Sequence, residues 1–138
     1  MKYTIITISF ILLGCNLLFA QEKPYNVVFD ITSKDTVDHR MVMRWVSDIA
    51  ETYPNSNIEV VFYGKSFDMI VQGKSMDAET VMNLVKKKNV TFNACAIALQ
   101  RNKIEKSQLL PGVKIVPDGI HELVLKQSEG WGYIKVSH

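Results

Sequence analysis

Between residues 26 and 136, short runs rich in β-branched and aromatic residues alternate with stretches of helical periodicity, and this rhythm constrains the fold more than any single residue does. "NVVFDIT" (26–32) is almost continuously apolar, as expected of a strand covered on both faces. After the N-cap candidates Asp35 and Thr36, Val37, Met41, Trp45, Ile49 and Tyr53 recur every four residues, and Val42 and Val46 widen the stripe. That helix stops at Pro54-Asn55. "IEVVFYG" (58–64) gives a second strand, followed by a short helical piece in "SFDMIV". Ser75 is placed to cap a helix in which Ala78, Val81, Met82 and Val85 share a face. Lys86, Lys87 and Lys88 fall in its last turn, where positive charge complements the dipole. "VTFNA" (90–94), a short helix from Cys95 to Lys103, "VKIVP" (113–117), a helix opening at Asp118 or Gly119 with Ile120, Leu123 and Val124, and "WGYIKV" (131–136) complete the series.

Strand and helix alternating over short connections imply right-handed crossovers and a sheet sandwiched between helices. The expected fold class is α/β, a three-layer α/β/α sandwich on a mainly parallel five-stranded sheet. No internal repeat, linker or low-complexity segment interrupts it.

The opening differs from the rest. Residues 1–20 begin with one Lys, run uncharged from Tyr3 to Ala20, and give way to polar Gln21-Glu22-Lys23-Pro24. This is the shape of a secretory signal peptide, so the chain is expected to be exported, to the periplasm, with residues 21–25 as a short lead and 26–138 as a single domain. Leu18 is an unusual residue three places before a cut after Ala20. "LLGC" offers a minor alternative, in which Cys15 is lipidated and anchors the chain. No membrane span is expected in the mature chain. Cleavage removes Lys2 and Cys15, which brings the 16 Lys and Arg against 14 Asp and Glu close to balance. No basic field remains to bind nucleic acid. One cysteine, Cys95, is left, so no intrachain disulfide is possible, and an odd thiol in an oxidising compartment calls for an explanation.

In open parallel sheets ligands bind beyond the carboxyl ends of the strands. That rim holds Asp30 to Ser33, Tyr63-Gly64-Lys65, Ala94-Cys95 and Pro117-Asp118-Gly119, which makes Asp30, Gly64 and Asp118 candidate cleft-lining residues. Cys95 falls where strand gives way to helix, and unpaired backbone N–H groups at a helix start favour thiolate over thiol. The competing reading is inert packing: free Cys is among the most buried residues, and Cys95 stands between Ala94 and Ala96. A basic neighbour would favour reactivity, and Lys65 and Arg101 are the candidates. His39, His121 and His138 have no metal-ligand spacing with one another or with Cys95, so no metal or cofactor is expected. Glu122 belongs in the first turn of a helix, where an acid is favourable for stability alone. Neither Ser33 nor Ser66 has an evident His partner, which argues against a hydrolase.

Taken in order, "VVFDITS", "IEVVFYGKSFDMIV", "VTFNACAIALQRNKI" and "LLPGVKIVPDGIHELVLKQSEGWGYIKV" resemble the DsrE/DsrF-like (YchN-like) family, in particular its small exported bacterial members. The resemblance implies the three-layer fold, homo-oligomers such as trimers or hexamers, and for some relatives a sulfur relay. In that relay a cysteine at the position of Cys95 carries a persulfide between a donor and an acceptor protein, without a cofactor. Two further readings stay open: a non-catalytic oligomeric binding module with a cleft at the strand ends, and a Cys95 that forms an intermolecular disulfide.

Overall fold

The computed structural model describes residues 24–137. Within them β1 (Asn26–Ile31), β2 (Asn57–Phe62), β3 (Val90–Cys95), β4 (Lys114–Val116) and β5 (Gly132–Val136) form one sheet in the order β4-β3-β2-β1-β5. Every neighbouring pair is parallel. Helices α1 (Thr36–Thr52), α2 (Ala78–Leu84), α3 (Ala96–Arg101) and α4 (Gly119–Ser128) occupy the connections. The expected signal segment and Cys15 lie outside the described residues. Among those described, no helix is long and apolar enough to cross a membrane.

Strand order dictates where the helices go. From β1 to β4 each strand is added on the same side of its predecessor, so right-handed crossovers keep α1, α2 and α3 on one face. The last connection runs back across the whole sheet from edge to edge, and the same handedness puts α4 on the opposite face. Packing follows this rule. Val42, Met43 and Val46 of α1, Val81 and Leu84 of α2 and Leu99 of α3 share a core with Phe29, Phe62 and Phe92. On the other side Leu123 of α4 meets Val28 and Val61.

Three local expectations need correction. The buried apolar stripe of α1 is Val42, Met43, Val46 and Ala50, with Asp38 and His39 also buried near its start, while Val37 and Tyr53 are exposed. Met41, Trp45 and Ile49 flank the core, with Trp45 stacked on Phe29 at 6.1 Å between ring centres. Helix α1 thus presents a row rotated from the one the four-residue spacing suggested, because a helix over a sheet buries its central row and leaves both borders half-covered. Second, Ser75 caps nothing: Asp77 occupies the N-cap of α2, and that helix ends at Leu84, before the three lysines. Ser75 Oγ is buried without a hydrogen-bond partner among the described residues, and nothing in the structure accounts for it. Third, Ile120 and Val124 face outward from α4, 52% and 58% exposed.

Candidate functional site

Because β3 feeds α3 on one face and β4 feeds α4 on the other, the chain parts at the carboxyl ends of these two adjacent strands. A parallel sheet opens a crevice at such a point. A cavity of about 370 Å³ lies there, lined by Tyr63, Gly64, Cys95, Ile97, Ala98, Arg101, Asn102, Asp118 and Ile120. Cys95 ends β3 and is the N-cap residue of α3, with extended backbone angles (φ −71, ψ 118). It is a free thiol and only 5% exposed. Its cover is the start of α4: a Cβ added to Gly119 would lie 3.0 Å from Cys95 Cβ, 3.1 Å from Val61 Cγ1 and 3.5 Å from Cys95 Sγ. Only glycine lets the helix come this close. Asp118 caps α4 by accepting from the Ile120 N–H at 2.9 Å, which fixes one carboxylate oxygen at the mouth of the cavity. Gly64 turns the chain out of β2 with φ +66, over Thr32, a conformation that L side chains rarely adopt.

Beside this crevice, on the same face of the sheet, is a polar cluster. Asp30, 3% exposed, accepts from Tyr133 Oη at 2.6 Å and from Lys135 Nζ at 3.1 Å to each carboxylate oxygen. Lys135 also reaches Thr32 Oγ1 at 3.2 Å and lies 5.6 Å from the centre of the Tyr63 ring. Burial and a hydrogen bond to Asp30 push the Tyr63 hydroxyl well above the usual phenol range. The bond to Asp30 raises Tyr133 from 10.0 to about 12. A buried carboxylate satisfied in this way is a positioning device. Tyr63, which walls the thiol cavity, stands beside the same carboxylate.

Further along the face, Glu59 Oε1 accepts from Asn93 Nδ2 at 2.7 Å, and Lys126 Nζ stands 3.7 Å from Glu59 Oε2. Burial raises Glu59 from 4.5 to about 7. Burial pulls Lys126 down, but Glu59, Glu129 and Glu122 together more than offset that and raise it.

The four residues singled out from sequence are therefore distributed as follows. Cys95, Gly64 and Asp118 line one cavity, whereas Asp30 stands behind its Tyr63 wall and does not line it. Of the two candidate basic neighbours, Arg101 lines the cavity of Cys95, while Lys65 opens onto another concavity with Lys34 and Asp68. His39 is buried, with Nε2 2.9 Å from the Ser33 carbonyl oxygen, and no metal-binding cluster occurs among the described residues. Sequence reasoning missed Tyr133, Lys135, Glu59 and Asn93 as members of one surface. Parity was the available signal: Asp30, Glu59 and Asn93 are polar breaks in otherwise apolar strands, and Tyr133 and Lys135 alternate with Ile134 and Val136. A larger concavity, about 710 Å³, lies around Pro24, Tyr25, Tyr53 and Pro54, and no cysteine, histidine or charged side chain lines it.

Comparison with known proteins fits this architecture. The profile of the DsrE/DsrF-like family matches residues 26–136. A solved structure of a protein of unknown function from Methanobacterium thermoautotrophicum superposes with a TM-score of 0.75 at 30% identity, over 80% of this chain and 98% of that one. The E. coli YchN protein gives 0.67 at 13% identity, over 82% and 99%. A conserved protein of unknown function from Bacteroides thetaiotaomicron gives 0.63 at 11%, over 81% and 95%. No curated protein matches the chain.

Proposed function

This chain belongs to the DsrE/DsrF-like family, and on that premise we propose that Cys95 is a sulfur-carrying thiol. The observation that carries the reading is the place of Cys95 in the crevice between α3 and α4, in a cavity whose wall includes the guanidinium-bearing Arg101. In the step proposed, the Cys95 thiolate attacks the outer sulfur of a persulfide donor, RS–SH. A bond forms between Cys95 Sγ and that sulfur as the donor's S–S bond breaks, and RS⁻ leaves and takes up a proton. The protein persulfide then yields its outer sulfur to an acceptor thiolate by the same displacement, which regenerates Cys95. No redox cofactor is needed, because each step breaks and forms one S–S bond. Donor and acceptor are expected to be small thiols or partner proteins. Incubation of residues 21–138 with inorganic polysulfide should add the mass of one sulfur atom, and Cys95→Ser should abolish the gain. A wild-type protein that iodoacetamide alkylates at Cys95 but polysulfide leaves unmodified overturns the reading.

A second reading draws support from the burial of Cys95 and from the Asp30–Tyr133–Lys135 cluster. It makes the chain a non-catalytic binding module whose rim holds a small ligand. Unchanged thiol chemistry between native and sulfur-treated protein, with Cys95→Ser losing thermal stability, favours it. We infer further that the chain self-associates as a trimer or hexamer and is exported to the periplasm. The outward Ile120 and Val124 support the first inference and residues 1–20 the second. Light scattering of the purified protein and fractionation of cells test them; a monomer or a cytoplasmic protein counts against each in turn.

A further inference from the structure

Helix α4 is held to the sheet by few side chains. Gly119 and Leu123 are its buried residues, and the rest of its attachment is charged. Glu59 in the middle of β2 is 4% exposed. Its carboxyl group and that of Glu122, one turn into α4, both lie 3.7 Å from the ammonium of Lys126, one turn further on. Lys126 in turn lies 3.4 Å from Glu129, with its ammonium 4.8 Å from the centre of the Trp131 ring. From β3, Asn93 donates to Glu59, and Lys114 of β4, in register with Asn93, is exposed. On the β1 side the register partner is the uncharged Val28. Two carboxyl groups can share a hydrogen bond only if one of them keeps a proton. Glu59 is the more deeply buried of the two.

One turn before Glu122 lies Gly119, whose backbone closes over Cys95. Anything that loosens the first turns of α4 therefore uncovers the thiol. We propose that the Glu59–Glu122 carboxyl pair is a proton-operated clasp on the start of α4, and that it sets how readily reagents reach Cys95. The inference rests on Cys95 being the reactive group of the proposed function, but it concerns access and not the chemistry that follows. With Glu59 protonated, its hydroxyl donates to Glu122 and the helix is fastened. With Glu59 ionised, two carboxylates face each other and Lys126 offsets only part of the repulsion. Burial raises Glu59 from 4.5 to about 7, so its contribution is fully present below pH 4.5 and is lost as pH rises through about 7. The clasp is thus closed in acid and loosened in mild alkali.

The test is the alkylation of Cys95 by iodoacetamide from pH 5.5 to 8.5 (about the range that brackets a group titrating near 7), each rate divided by the thiolate fraction measured by ultraviolet absorbance. In the wild type this corrected rate should rise several-fold through neutrality. Glu59→Gln should hold it flat at the low-pH level. A wild-type rate independent of pH, or a rise that survives in Glu59→Gln, overturns the proposal. Should Glu59→Gln fail to fold, Glu122→Gln decides, since Glu122 is only half-buried: it should shrink or remove the rise, and an unchanged rise refutes the clasp. Alkylation reads access whether or not sulfur is accepted, so a protein that takes no sulfur but shows the step loses the sulfur reading and keeps the clasp.

Discussion

The two faces of this sheet are built on different principles. Under α1, α2 and α3 every inward strand residue is apolar, and Phe29, Phe62 and Phe92 are fully buried among apolar neighbours. Under α4 the buried positions of β1, β2 and β3 read Val28, Asp30, Glu59, Val61, Asn93 and Cys95, and three of the six are polar. Apolar burial is favourable wherever the surfaces meet, so the first face tolerates small shifts. Buried polar groups cost free energy unless each finds its partner, so the second face works only in one arrangement. Stability belongs mainly to the first face, and specificity to the second, which also carries the thiol.

Substitutions can break or sharpen this contrast. Phe62→Ala, which empties a site packed edge-on against Phe92 at 5.7 Å, should cost about 3–5 kcal/mol in denaturant unfolding. Leu123→Ala on the sparse face should cost about 2 kcal/mol, because its small cluster relaxes easily, and it should speed Cys95 alkylation, which Phe62→Ala does only by unfolding the protein. If the two losses were equal, the faces would not differ in the way described. Tyr133→Phe removes one hydrogen bond to a buried carboxylate from a partly exposed ring and should cost about 1 kcal/mol. Since Asp30 raises Tyr133 from 10.0 to about 12, its contribution is complete below pH 10 and disappears as pH rises through about 12. An absorbance titration that finds all tyrosines ionising together near 10 would contradict that tie. The smallest effect is expected for Glu59→Gln: no change in stability at pH 4 and a slight gain over wild type at pH 8 (about one unit above where Glu59 titrates), measured by thermal unfolding.

How far the sequence reveals this depends on the face. The strand runs, the parallel sheet and the position of Cys95 at a strand end follow from residue period alone, because continuous apolar runs have one economical arrangement. Helix α1 was legible as a helix but not in its exact facing, since Val42 and Met41 are adjacent and only the sheet decides which is central. Ile120 and Val124 had the spacing of a core stripe and face outward, because Gly119 and Leu123 already fill the narrow contact that α4 makes. Glu122 read as a helix-start acid, and it is one, yet its partner Glu59 lies 63 residues earlier (a separation fixed by their numbers). No local pattern encodes a pairing at that distance. The same holds for Asp30 with Tyr133 and Lys135, which meet only because β5 returns to lie beside β1.

That return also gives the molecule a top and a bottom. All five strands run the same way, so Asn26 and Gly132 mark one end of the sheet, and Ile31, Cys95 and Val136 the other. Whatever is joined ahead of Pro24 leaves from the end away from the thiol, while residues after Val136 emerge on the thiol's own end. A tether or reporter fused at the front therefore leaves the crevice facing outward and unobstructed. The same addition at the back leaves from the thiol's end of the sheet, three strand positions across from Cys95.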